Sequence, residues 1–193
     1  MSKNGMHGIT PDTPKNVLLG AGTYHRGMKL EGGKLTIGEI MGATNGGGKI
    51  SIIGEFYDIP VDGALVKVKG LTVKNGGKVT AEVNFAELSS GIIKAGTLFE
   101  ADESVEGYTV LKDKPNITEG DYVEGFGFIG KTANDSKDIV VIMDNALCTS
   151  GIELEPKHKE AAVVKLVMEA YADIDGDLAC LPVKILYPDD PIV

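Results

Sequence analysis

The chain has 193 residues, 42% hydrophobic and 24% charged, the composition of a globular protein with enough apolar material for one core. Its 28 acidic residues outnumber 19 basic ones, leaving a formal net charge of −9, a balance that repels phosphate and argues against a nucleic-acid-gripping surface. Twenty-six glycines, six tyrosines, five phenylalanines and no tryptophan suit many strands joined by tight turns better than a helical bundle.

Residues Met1–Lys15 read as a flexible arm, rich in Gly, Pro, Asn and Thr and without periodicity or an apolar run of signal-peptide type. Asn16–Tyr24 is a short apolar strand interrupted at Gly20 and Gly22, where a bulge is expected, and Gly27–Gly33 is its turn. Lys34–Ala43 offers a second strand, and Asn45-Gly46-Gly47-Gly48 reads as a turn. Lys49–Ile59 is a strand with a bulge expected near Gly54.

After a loop opening on Pro60-Val61-Asp62-Gly63, Leu65–Val73 alternates Val66 and Val68 against Lys67 and Lys69, the pattern of another strand. Asn75-Gly76-Gly77 reads as a turn into a strand of clean alternation. There Val79, Ala81, Val83 and Phe85 share one face, while Lys78, Thr80, Glu82 and Asn84 share the other. One face packs, and the other meets water or a partner. Ser89 or Ser90 caps a short helix over Gly91–Ala95 with Ile92 and Ile93 inward. Glu100–Glu106 reads as a solvated acidic loop without the ligand spacing of a cation site.

Tyr108–Leu111 is a short strand, Asp113–Gly120 a turn region, and Tyr122–Lys131 with Asp138–Asp144 a hairpin. Within that hairpin, Gly125-Phe126-Gly127-Phe128-Ile129-Gly130-Lys131-Thr132 satisfies the phosphate-binding expression G-x-x-x-x-G-K-[ST]. The chemistry of that motif needs a helix beginning at the Lys-Thr, whose N-terminal amides hold the phosphates. Only Ala133–Lys137 precede the next strand, and they carry turn chemistry, so nucleotide binding is rejected.

Asn145–Leu154 reads as a loop re-entering extended structure. Pro156–Ile174 fits a helix through Ala162, Val163, Leu166, Val167, Ala170 and Ile174, and also fits a strand with Val164, Leu166, Met168 and Ala170 on one face; periodicity alone leans to helix. Asp173, Asp175 and Asp177 open like a calcium loop but lack its glycine and closing glutamate, so they read as a turn. His7, His25 and His158 have no ligand or catalytic partners nearby in sequence, and no cofactor, metal or catalytic residue is expected. Cys148 and Cys180 are too few for a disulfide framework and are expected as free thiols. No stretch suits a membrane span. Val183–Tyr187 is a short strand before a Pro-rich tail.

Five stretches together resemble the tail tube proteins, or major tail proteins, of long non-contractile-tailed bacteriophages. They are TPKNVLLGAGTY, EIMGATNGGGKISI, DIPVDGALVKVKGL, NFAEL and DIVVIMDNALCTSGIELEPKHKEAAVVKLVMEAYAD, in the family's order and over most of the chain. The resemblance implies a mainly β fold, a sandwich or barrel of antiparallel strands with one short flanking helix near Glu87–Gly96. It also implies that Val163–Tyr171 is a strand.

By the same resemblance, residues 16–187 form one domain, and six copies close into a ring. Rings stack into a hollow tube through which DNA passes as non-specific cargo. Asp58–Gly70 is then the ring-to-ring loop, with Asp58, Pro60, Asp62, Gly63, Lys67, Lys69 and Gly70 as its contact residues. The Met1–Lys15 arm and the 188–193 tail would add contacts. Thr80, Glu82 and Asn84 are expected to line the lumen or the surface. Partners would be further copies, together with tape-measure and terminator proteins, in a virion assembled in the host cytoplasm. Two other readings stand beside this one: a monomeric acidic β-domain for carbohydrate or protein ligands, and the tube protein of a contractile tail or secretion-like system.

Overall fold

The computed structural model describes residues 9–10, 13, 17–132, 138–156, 158 and 162–188. Most of the proposed arm, the tail beyond Pro188 and the turn at 133–137 lie outside the described residues. The strands are β1 (Leu18–Arg26), β2 (Lys29–Glu31), β3 (Lys34–Thr36), β4 (Glu39–Ile40), β5 (Thr44–Asp58) and β6 (Thr72–Phe85). After helix α1 (Ser90–Gly96) come β7 (Phe99–Val105), β8 (Tyr108–Asp113), β9 (Val123–Thr132), β10 (Asp138–Cys148), β11 (Val164–Tyr171) and β12 (Val183–Leu186). The fold is mainly β, of the antiparallel sandwich or barrel class.

The main sheet runs β4-β1-β9-β10-β11-β6-β5. One edge of β10 is shared: β12 pairs along Val140–Met143 and β11 along Asn145–Cys148. Between β1 and β6 lie three strands, so a flat sheet would hold them roughly 19 Å apart at about 4.8 Å per spacing. Yet the rings of Tyr24 on β1 and Phe85 on β6 lie 6.4 Å apart, edge to face. The sheet therefore curls around its own apolar face. Phe126 and Phe128 stand 5.9 and 5.2 Å from Tyr24 and join Val83, Met143, Leu166 and Met168 in one core. Burial pushes the Tyr24 phenol pKa up.

Helix α1 closes this core. Ser89 is its N-cap, its hydroxyl accepting from the Ile92 amide at 3.2 Å, and Ile92 is buried. Behind the sheet, Met28, Val140 and Ile142 form a second cluster with Leu35, Ile129 and Leu186. The glycines of β9 serve this cluster, since a Cβ at Gly127 would fall 2.1 Å from the Met28 sulfur. The phosphate-like motif is thus strand: Lys131 pairs with Leu19 on one side and Asp138 on the other, and Thr132 with Leu18. Its backbone lies in ladders rather than opening a helix.

Several local expectations change. Asn45–Gly48 lies inside β5, where Thr44↔Phe85 and Gly48↔Val83 leave two extra residues in a bulge, with Gly46 and Gly47 at φ of 80° and 71°. Asn75–Gly77 lies inside β6, with Asn75 the extra residue opposite Glu55 and Phe56, beside the bulge expected near Gly54. Leu65–Val73 is not a strand; Leu65–Leu71 belongs to a loop and β6 begins at Thr72. Gly27–Gly33 contains β2, and the single strand expected over Lys34–Ala43 is split into β3 and β4.

The acidic Glu100–Glu106 loop is mostly strand β7, paired with β8 in a separate two-stranded sheet. An exposed hairpin can carry charge on both faces, so the missing alternation concealed it. Asn145–Cys148 continues β10 rather than starting a loop. The segment at 164–171 is a strand, not the helix its spacing favoured, with Val164, Leu166 and Met168 buried between β6 and β10. The bulge expected at Gly20 and Gly22 is present between Leu19 and Thr23.

Candidate assembly surfaces

The β5–β6 hairpin carries both sets of singled-out residues. β11 pairs with β6 from Thr80 to Phe85, so the remainder of β6, from Thr72 to Val79, is paired only with β5. At about 3.3 Å per residue, this leaves a two-stranded arm projecting roughly 20 Å before its loop begins.

The loop is built rather than loose. The Ala64 amide donates to the Val61 carbonyl at 3.2 Å, and the Leu71 amide to the Val68 carbonyl at 3.1 Å. Each turn has a glycine in its third position, Gly63 at φ 86° and Gly70 at φ 95°, as a type II turn demands. The Ile59 amide donates to the Leu71 carbonyl at 2.8 Å and closes the base.

Asp58 anchors that base. Its carboxylate accepts from Thr72 Oγ1 at 2.6 Å and meets Lys67 Nζ at 2.6 Å. The Lys67 ammonium, then the Thr72 hydroxyl, hold the Asp58 carboxyl below its ordinary pKa. Lys67 therefore folds back onto the loop base. Pro60, Asp62, Gly63, Lys67, Lys69 and Gly70 are all exposed.

The arm's apolar side chains face solvent. Leu65 is 98% exposed, Val66 76% and Phe56 71%, and Tyr57, Val61 and Val73 are also exposed. Scattered exposed apolar residues are ordinary, but here several fall within one hairpin and its loop.

Thr80, Glu82 and Asn84 lie together on the half-buried outer face of β6, while Val79, Ala81, Val83 and Phe85 are buried on the other. Glu82 sits in a ladder of opposite charges. It lies 2.8 Å from Lys165 on β11 and 3.8 Å from Lys49 on β5, while Lys78 lies 2.8 Å from Glu169. Lys165, then Lys49, lower the Glu82 carboxyl pKa, and Glu169 raises that of the Lys78 ammonium. The face carries three lysines against two glutamates, with Glu82 shared between Lys49 and Lys165, a surplus of one positive charge. Sequence reasoning found Glu82 and missed Lys49, Lys165 and Glu169, which were readable only once β11 was known to be a strand. The loop residues and this row do not form one site. The eight residues of β6 from Thr72 to Val79 stand between the loop and Thr80, roughly 20 Å of strand.

Elsewhere, an open cleft of about 560 Å³ is lined by Arg26, Glu39, Lys94 and Glu119 among others. Arg26 and Glu39 pair there at 2.8 Å, and the lining holds no Ser, Cys or His. Among the described residues no group of three or more His, Cys, Asp or Glu is placed to hold a metal. His25 is buried, its Nε2 2.9 Å from Thr23 Oγ1 and its Nδ1 3.3 Å from the Gly38 carbonyl. No helix is long and apolar enough to cross a membrane among the described residues. The chain matches no protein-family model, and no curated protein matches it significantly.

Proposed function

We propose that the protein is a structural subunit of a phage tail tube, six copies forming a ring and rings stacking around a lumen that passes DNA. The observation that carries this reading is the β5–β6 arm, whose preformed loop displays Leu65 and Val66 to solvent and gains nothing from that display in a single chain. A second copy supplies the missing cover. The Lys49, Lys78, Lys165, Glu82 and Glu169 face suits a wall along which DNA slides. Each of its lysines lies beside a carboxylate and the surplus is a single positive charge, so it offers phosphates no strong grip.

Electron microscopy of the purified protein tests the proposal. Hollow tubes or six-fold rings are expected, with Glu82 towards the lumen. Dispersed monomers at high concentration would instead favour a monomeric binding domain.

A further inference from the structure

We propose that two copies of this chain pair along the free edge of β5, antiparallel and about a two-fold axis at Ile52, so that their main sheets become one. The contact goes beyond the tube reading and does not depend on it.

β5 ends the main sheet, paired with β6 on one side only. From Lys49 to Asp58 its other side presents backbone amides and carbonyls that another strand can answer. The usual protections of an edge are missing. The stretch has no proline, and Ile50, Ile52 and Gly54, on its core-facing side, carry no charge. Ile52 and Ile53 are exposed there.

The other free edges among the described residues are poorer partners. β1 is broken by its bulge between Leu19 and Thr23, β7 is shifted between Ala101 and Ser104, and β4 and β12 have two and four residues. The outer part of β6 carries the extra Asn75 and has Leu181 against Gly77. That extra residue leaves β5 itself without an insertion, so the edge best matched to β5 is a second β5.

Charge then selects the register. Alternate residues turn their N–H and C=O to the same edge, so an antiparallel strand meets its own copy only in registers centred on a residue. The one centred on Ile52 alone sets Lys49 against Glu55, twice across the axis, with Ile52 on Ile52 and Ile50 on Gly54. Lys49 and Glu55 share the face of the charge ladder, opposite Glu82 and Gly76 of β6. Lys49 is that ladder's surplus cation, 3.8 Å from Glu82 while Lys165 holds the same carboxylate at 2.8 Å. Glu55 forms no ion pair among the described residues. Opposite charges facing each other across strands stabilise the pairing, and like charges there oppose it.

A two-fold contact closes on itself and does not propagate. In a chain that also builds rings, it is the form of the unassembled subunit, with its longest free edge masked.

Disulfide trapping tests the axis. Ile52→Cys in a Cys180→Ser background should give covalent dimers under mild oxidation, because facing Cβ atoms lie about 4.5–5.5 Å apart. Tyr57→Cys in the same background should not, since this register holds it about 33 Å from its own copy. Sedimentation of the unaltered protein should show dimers. Glu55→Lys should weaken them at least about tenfold, and Lys49→Glu added to it should restore them to within about threefold, with circular dichroism unchanged throughout. Absent linkage from Ile52→Cys, equal linkage from Tyr57→Cys, or no rescue by the double reversal overturns the contact. Tubes in electron micrographs from a chain that fails these tests leave the tube reading standing, and trapped dimers from a chain that never forms tubes do the converse.

Discussion

The two halves of the β5–β6 hairpin are continuous in chain and opposite in circumstance. Near the core, β6 is flanked by β5 and β11, and Val79, Ala81, Val83 and Phe85 are almost wholly buried. Beyond Lys78 no third strand pairs with the same two among the described residues, although Leu181 lies against Gly77, and Phe56, Tyr57, Leu65 and Val66 stand in solvent. One half holds the subunit together; the other is apolar without contributing to that task. What distinguishes the buried half from the exposed half is therefore neighbours, not composition.

That contrast can be broken most severely at its inner end. Phe85→Ala removes a fully buried ring touching Tyr24 and should destabilise the fold by about 3–5 kcal/mol, read from denaturant unfolding. At the outer end, deleting Val61–Lys69 should leave the melting temperature nearly unchanged and abolish long tubes in electron micrographs. Normal tubes from that deletion would remove the loop from the mechanism. A gentler cut, Leu65→Asp, should reduce assembly about tenfold while circular dichroism stays that of the parent.

pH sharpens the comparison further. The Asp58 carboxyl titrates lower in the folded protein than in an unfolded chain, so its contribution is present above the ordinary carboxylate pKa and is lost as pH falls through the folded value. Acidification below about pH 4 should thus lower the amide protection factors, taken relative to the intrinsic rate at each pH, across Ile59–Leu71 before it affects Val79–Phe85, and Asp58→Asn should flatten that dependence. The smallest expected effect is Glu82→Gln. A partly exposed ladder charge should shift the melting temperature by less than about 1 °C.

The sequence made the inner half legible because strict alternation on β6 admits one geometry. The Ser89 cap and the β9–β10 hairpin were equally readable, being local chemistry. The glycine runs misled in the other direction. Asn45–Gly48 and Asn75–Gly77 carry turn residues, but the long β5–β6 ladder on either side holds them as bulges. On β11 the side chains at 162–170 satisfy both periods, and only pairing with β6 and β10 decides for strand. Of the candidate site, Asp58, Gly63 and Gly70 were singled out through the resemblance and Glu82 through the alternation of β6. Their partners Thr72, Lys165 and Lys49 were not, because each contact crosses strands distant in sequence or depends on where the loop ends.

The loop base described above has a kinetic consequence. With two glycine turns, the Ile59–Leu71 bond and Asp58 gripping Lys67 and Thr72, the loop has already surrendered most of its conformational freedom. In the proposed assembly, capture by a second copy would then cost little further ordering entropy. The rate of growth should accordingly be set by how often correctly oriented copies collide, and follow protein concentration and salt rather than any slow folding step in the arm.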